Sequence, residues 1–311
     1  MTAMLTLLDS QFDDLEHFLA EAQHWDLDFR ATTVGGFAGR VKQLASPHTL
    51  ISYARFTQGL HQQGGTPEGY RTFGLPGPNC SGFWWWGSRV TRDDMLVFPA
   101  SNELSSVSHP DFEVFTISVQ ISYFEELLNS LGLERSGTEA QVVHLDGPTA
   151  ECLRRLAATA VTSANAVAAL TATQDLVERL VVCAAQSNRQ DVTPLRQRSS
   201  AVDRVVEYLH ATPAPSSELA ELCRIARVSE RTLQYAFNER YGIPPNAFVK
   251  RWKLNTARRM LLDAEPSQTT VTQVALDLGF AHSSQFATDY RRLFSELPSQ
   301  TLRRQAMLRR E

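Results

Sequence analysis

The sequence predicts an α+β protein of two domains: a β-sandwich or small barrel with helices at the N-terminus, then an all-α double helix-turn-helix. Three observations carry this. A short helical unit occurs twice between residues 219 and 299. Between residues 29 and 120, short β-rich runs alternate with Gly, Pro, Asn and Ser breaks, which is the spacing of a sandwich or barrel. Charge also divides unevenly. From residue 191 onward 18 Lys and Arg stand against 13 Asp and Glu, a balance of +5, while residues 1–190 hold 12 against 21, a balance of −9. Such asymmetry points to a basic half that meets a polyanion and an acidic half that does not.

The 311 residues suffice for two domains, and 16 Phe with five Trp supply real cores. No apolar run approaches the ~20 residues needed to span a bilayer. Residues 1–10 are apolar but lack a basic flank, so they do not read as a signal peptide, and the expected location is the cytoplasm. Cys80, Cys152, Cys183 and Cys223 are scattered without a C-x-x-C pair, and three of them lie in helical apolar patterns, which suits buried free thiols in a reducing compartment.

In chain order, Leu15, Phe18, Leu19 and Ala22 repeat at helical spacing and predict a first helix over 9–23. Strands are expected near 40–45, 49–59, 70–75, 82–90, 94–98 and 112–119. The pattern then turns helical, over 123–131, 148–164 and 165–187. The apolar stripes of the last two either cover the sandwich or pair across a dimer axis. Residues 191–198 are polar and aperiodic and read as a linker between domains at 1–190 and 199–311. The second domain opens with a helix from Ser199 and breaks at Pro213 and Pro215. Ser217 is expected to cap the next helix and Ser229 the one after. A long helix follows from Pro244-Pro245 to about Ala264, Thr270 and Gln273 form a capping-box pattern, and Pro298 starts a final helix.

The two units align residue for residue. Cys223 matches Ala275, Leu233 matches Phe286, and Phe237 matches Tyr290, with one extra residue in the second turn. Helix-turn-helix units place their second helix in the DNA major groove. Leu233, Phe237, Phe286 and Tyr290 must then face the core, leaving Arg231, Gln234, Tyr235 and Asn238 outward in the first unit, and Ser283, Ser284, Gln285 and Thr288 in the second. Arg suits guanine edges, Gln suits adenine, and Ser or Thr are permissive. The second face carries no Arg, so the first unit is expected to specify sequence and the second to anchor it.

The run Gly279-Phe280, then Phe286, Tyr290, Phe294 and Pro298, with two units joined by one long helix, resembles the AraC family of bacterial transcription activators over 219–304. Within that family, residues 285–299 resemble the ethanolamine-operon regulators. The resemblance implies base contacts at Arg231, Gln234, Tyr235, Ser284, Gln285 and Thr288. Phosphate contacts are expected at Ser229, Lys250, Arg251, Arg258, Arg291 and Arg292, with Lys253 a further candidate; each charge is otherwise a solvated surface group. It further implies reading helices in successive major grooves roughly 34 Å apart. The partners implied are promoter DNA, RNA polymerase, and a second copy through helices in 148–187.

For residues 1–190 the resemblance implies a cupin-like domain that binds an effector and dimerises. The run Phe83-Trp84-Trp85-Trp86 is the most unusual feature there. Strand alternation puts Phe83 and Trp85 on one face and Trp84 and Trp86 on the other. They form either sandwich core with a surface ring or an aromatic pocket wall. Arg55, Arg71 and Arg89 lie in strand-like runs; turned inward, one would hold an anionic group, and otherwise they are surface residues. The effector classes left open are an amine, a nucleotide and an aromatic acid. His48, His61 and His109 stand far apart with no H-x-H pair, so no metal or other cofactor is expected. An alternative reading, a cupin-type metalloenzyme fused to a DNA-binding tail, requires such a metal. No G-x-S-x-G, P-loop, GxGxxG or paired catalytic carboxylate appears, so no enzyme is expected.

Overall fold

A computed structural model of the chain describes residues 6–22, 24–134, 137, 139–186, 201–265 and 268–308. The linker expected at 191–198 lies outside them. They form two compact units: residues up to 29 with 37–186, and residues 30–36 with those from 201 onward.

The N-terminal unit stacks helices, a seven-stranded sheet and a five-stranded sheet. The larger sheet has the order β1 (Thr6–Phe12), β3 (Gly39–Ala45), β4 (Thr49–Phe56), β11 (Phe112–Gln120), β6 (Tyr70–Pro76), β9 (Asp94–Val97), β12 (Gln141–His144). The smaller is β2 (Asp26–Ala31), β5 (Leu60–Gly65), β10 (Glu103–Val107), β7 (Phe83–Trp85), β8 (Ser88–Val90). Alternation along each strand divides the larger sheet into two faces. Ile51, Met95, Phe115, Ile117 and Val119 pack under α2 (Ile121–Ser130), α3 (Gly147–Thr162) and α4 (Ala166–Gln186), whose Leu153, Ala157, Leu176, Val177 and Leu180 complete that core. The alternate residues, among them Phe56, Leu96 and Phe112, join Phe83 and Trp85 in a second, aromatic core.

Three expectations are corrected here, and four strands are added to those expected. Residues 9–23 are not one helix: β1 runs to Phe12 and pairs antiparallel with β3, and α1 (Leu15–Glu21) begins only after Asp14, whose carboxylate accepts the Glu16 and His17 amides. The expected strand over 82–90 is a hairpin; Trp86 and Gly87 both hold positive φ, the two-residue turn that fits strand twist. β2, β5, β10 and β12 were missed: their sequences are short and polar, and the sheet rather than local propensity makes them strands. Of the four free thiols only Cys80 is fully buried, the other three being half-buried.

The C-terminal unit is helical: α5 (Ala201–Ala211), α6 (Leu219–Ala226), α7 (Glu230–Tyr241), α8 (Pro245–Asp263), α9 (Val271–Asp277), α10 (Ser283–Phe294) and α11 (Pro298–Leu308). Glu218, not Ser217, stands at the N-cap of α6, and no side chain caps that end. Residues 30–36 are part of this unit. The buried Asn255 amide of α8 accepts the Ala31 N–H at 2.8 Å and donates to the Ala31 carbonyl at 3.0 Å. Arg30 lies 3.9 Å over the Trp252 ring, and the Gly35 N–H donates to the Arg292 carbonyl at 3.1 Å.

Candidate nucleic-acid interface

Each reading helix is set by a turn and a small core. After α6 the chain reverses through Arg227, left-handed at φ 56°, and Ser229 caps α7 by accepting the Thr232 N–H. Leu222, Leu233 and Phe237 are fully buried, and the tilted rings of Tyr241 and Phe248 pack together with centroids 4.2 Å apart. Gly242, at φ 69°, ends α7. The second unit repeats the plan. Thr270 caps α9, Gly279 turns at φ 74°, and Val274, Phe286, Tyr290 and Leu293 form the core of α9 and α10. The Tyr290 hydroxyl shares a 2.9 Å hydrogen bond with Thr301, whose hydroxyl donates to Glu296.

Burying that stripe leaves the opposite faces open. Arg231, Gln234, Tyr235 and Asn238 are all exposed on α7, Tyr235 to 72%. Ser283, Ser284, Gln285 and Thr288 are exposed on α10, with the Thr288 hydroxyl donating to the Ser284 carbonyl. Arg291 and Arg292 extend that exposed face at the C-terminal end of α10. An exposed large aromatic between an arginine and the helix C-terminus is a surface suited to a polar partner with flat groups, as base edges are.

The cations expected at phosphates separate into two groups. Arg291 and Arg292 are exposed, and Lys250, also exposed, is ion-paired with Asp289 at 3.1 Å. Arg258 is buried, bonded to Glu296, and sits 4.8 Å over the Phe294 ring. Lys253 is buried against Phe280, and burial holds its ammonium below the usual lysine range. Arg251 donates to the Thr32 carbonyl; burial and then the neighbouring Arg292 lower its pKa. For Arg258, Lys253 and Arg251 the phosphate assignment is revised: their charges are spent inside the unit. Ser229 is exposed but its hydroxyl is engaged as the α7 cap.

The effector candidates are also redistributed. The N-terminal unit holds a partly open cavity of about 120 Å³ lined from both sheets and α1. Phe83 and Trp85 line it; Trp84 and Trp86 do not. Arg55 is exposed and paired with Asp111 and Glu113, Arg71 donates to the Gly137 carbonyl, and Arg89 is exposed. None of the three arginines lines the cavity. Sequence reasoning missed the rest of the wall, including Phe18, Ala54, Phe56 and Ser106. The signal was the alternation within 49–56 and 112–120, where Ser52, Ala54 and Thr116 are small at successive inward positions.

Two helix-turn-helix units with open polar faces on a shared linking helix define a DNA-binding protein of the transcription-regulator class. Residues 222–304 match the family model described as a helix-turn-helix domain. The XylDLEGF operon transcriptional activator 3 of Pseudomonas putida is 38% identical over 105 residues, 34% of this chain and 32% of that protein. The match thus spans about a third of that relative's length. The probable thc operon regulatory protein of Rhodococcus erythropolis is 29% identical over 290 residues, 92% of this chain and 76% of that one. A crystal structure of a probable AraC family transcriptional regulator from Rhodopseudomonas palustris is 40% identical over 34% of this chain and 96% of that chain, with a TM-score of 0.31. The chain belongs to the AraC family of transcriptional regulators. No helix among the described residues is long and apolar enough to cross a membrane.

Proposed function

We propose that this protein is a sequence-specific transcription activator that binds promoter DNA through α7 and α10 and responds to a small effector held in the cavity of its N-terminal unit. The observation that carries the reading is the exposure of Arg231, Gln234 and Tyr235 on a helix that the buried Leu233 and Phe237 anchor in the core. A side chain that specifies bases must be free, polar and rigidly mounted, and these three are. Base readout is assigned to Arg231, Gln234, Tyr235, Ser284, Gln285 and Thr288, and phosphate contact to Arg291, Arg292 and Lys250. Activation requires RNA polymerase as a partner. A second copy is proposed to pair through 148–187, where Val167 of α4 is 73% exposed. The finer likeness to ethanolamine-operon regulators rests on residues 285–299 alone and would make the effector an amine.

The test is selection of bound sites from random duplexes with the full chain, followed by Arg231→Ala. The variant should lose about 1–3 kcal/mol on the selected site and relax preference at one position. Unchanged affinity and preference would remove Arg231 from the reading surface.

A further inference from the structure

The wall of the cavity carries information about its ligand. Its floor is a cross-strand row in the larger sheet. Gln43 of β3 pairs in register with Ser52 of β4, which pairs with Thr116 of β11. In the next row Val41 pairs with Ala54 and Ala54 with Val114. Apart from Gln43, whose amide donates to the Ser52 hydroxyl at 3.2 Å, these side chains are short, so the floor is recessed. The aromatic rings Phe18, Phe56, Phe83, Trp85, Phe98 and Phe112 close round it, with Phe83 and Phe112 edge to face at 5.0 Å. Among the described residues no Lys or Arg lines the cavity, and the sole ionisable lining residue is the exposed Glu21. Two lining side chains carry buried polar atoms without a hydrogen-bond partner among the described residues: the Trp85 indole N–H and the Ser106 hydroxyl. Trp85 is 1% and Ser106 4% exposed. Buried donors left alone cost free energy, and a bound acceptor would satisfy them.

We infer that the cavity binds a neutral, single-ring aromatic molecule carrying one hydrogen-bond-accepting oxygen, which Trp85 and Ser106 hold by donating to it. This rests on the effector reading above and narrows its chemistry. Size supports a single ring, since an apolar cavity of roughly 150 Å³ takes up benzene. Charge supports neutrality. A carboxylate would be buried with no cation to meet it, and an ammonium would find Glu21 only at the surface, the ring faces repaying only part of a larger desolvation cost. A nucleotide is excluded on both counts, and the aromatic acid is replaced by its uncharged counterpart.

The experiment uses the full chain and four probes of like size: acetophenone, toluene, benzoate and benzylammonium, followed by thermal unfolding and titration of tryptophan fluorescence. Acetophenone should bind one to one and raise the unfolding midpoint, because binding stabilises by mass action. It should bind at least about tenfold more tightly than either ion, as expected for a charge stripped of water. Ser106→Ala should weaken acetophenone about three- to tenfold, the worth of one hydrogen bond, and leave toluene unchanged. Ala54→Leu should fill the floor and abolish binding of both while the selected duplex is still bound. If benzoate or benzylammonium binds as tightly as acetophenone, the ligand class is wrong and the effector site stands. If none of the four binds to a chain that still recognises its duplex, the cavity is not the effector site. If Ala54→Leu fails to fold, Ser106→Ala still decides, because equal loss for toluene and acetophenone overturns the role of the hydroxyl.

Discussion

Arg231 and Arg258 have the same side chain and opposite work. Arg231 is exposed on α7, whereas Arg258 is buried against Glu296 and Phe294. Truncating one partner of a buried ion pair strands the other, so Arg258→Ala should cost about 3–5 kcal/mol of stability, and Arg258→Met less. Neither change should alter how DNA affinity depends on salt. Arg291→Ala should leave stability within about 0.5 kcal/mol and flatten the plot of log affinity against log salt by about one unit of slope. Parallel denaturation and salt titrations separate the two; a salt slope altered by Arg258→Met would restore it as a phosphate contact. The sequence does not distinguish these arginines because Glu296 lies 38 residues from Arg258, and only the folded chain of α8, α10 and α11 brings them together. The core residues were legible for the opposite reason. Leu233 and Phe237, like Phe286 and Tyr290, are four apart on one helix, and that spacing alone fixes a shared face.

At the scale of elements, capping explains which boundaries could be read. Ser229 and Thr270 each accept the amide three residues on, a local bond with a local signature. Ser229→Ala should cost about 1 kcal/mol, seen as a lower denaturant midpoint at unchanged slope. A loss of DNA affinity with no loss of stability would instead assign Ser229 to the backbone of the duplex. α6 shows the limit, since Ser217 has the right chemistry but the helix begins at Leu219 behind Glu218. The strands divide in the same way. β4 and β11 were legible because both their faces are covered, one by helices and one by the second sheet, so apolar residues recur along their whole length. β1 is an edge strand with Leu7 and Leu8 about half exposed, and its pairing with β3 across some thirty residues left no periodic trace, so the helical spacing that follows was extended into it.

For the whole molecule, the charge division along the sequence agrees with the division of structure. The unit that presents Arg231, Arg291 and Arg292 belongs to the basic half. The sequence boundary nevertheless overlooks residues 30–36, which belong with α8 and α10 although they stand near the start of the chain. Asn255→Ala should remove both bonds to Ala31 and cost about 1–3 kcal/mol in the unfolding of the C-terminal unit, measurable by hydrogen exchange of the α8 amides. Protection unchanged from the parent would show that the segment adds nothing to that unit. If it does contribute, the DNA-reading half is not a cassette that one crossover can transplant. A recombinant gene joined near residue 199 would inherit Trp252 and Asn255 without the arginine and backbone they hold. Residues 30 and 31 would then have to change in step with two helical positions more than two hundred residues away, and lineages of such regulators should exchange their halves only with that loop in company.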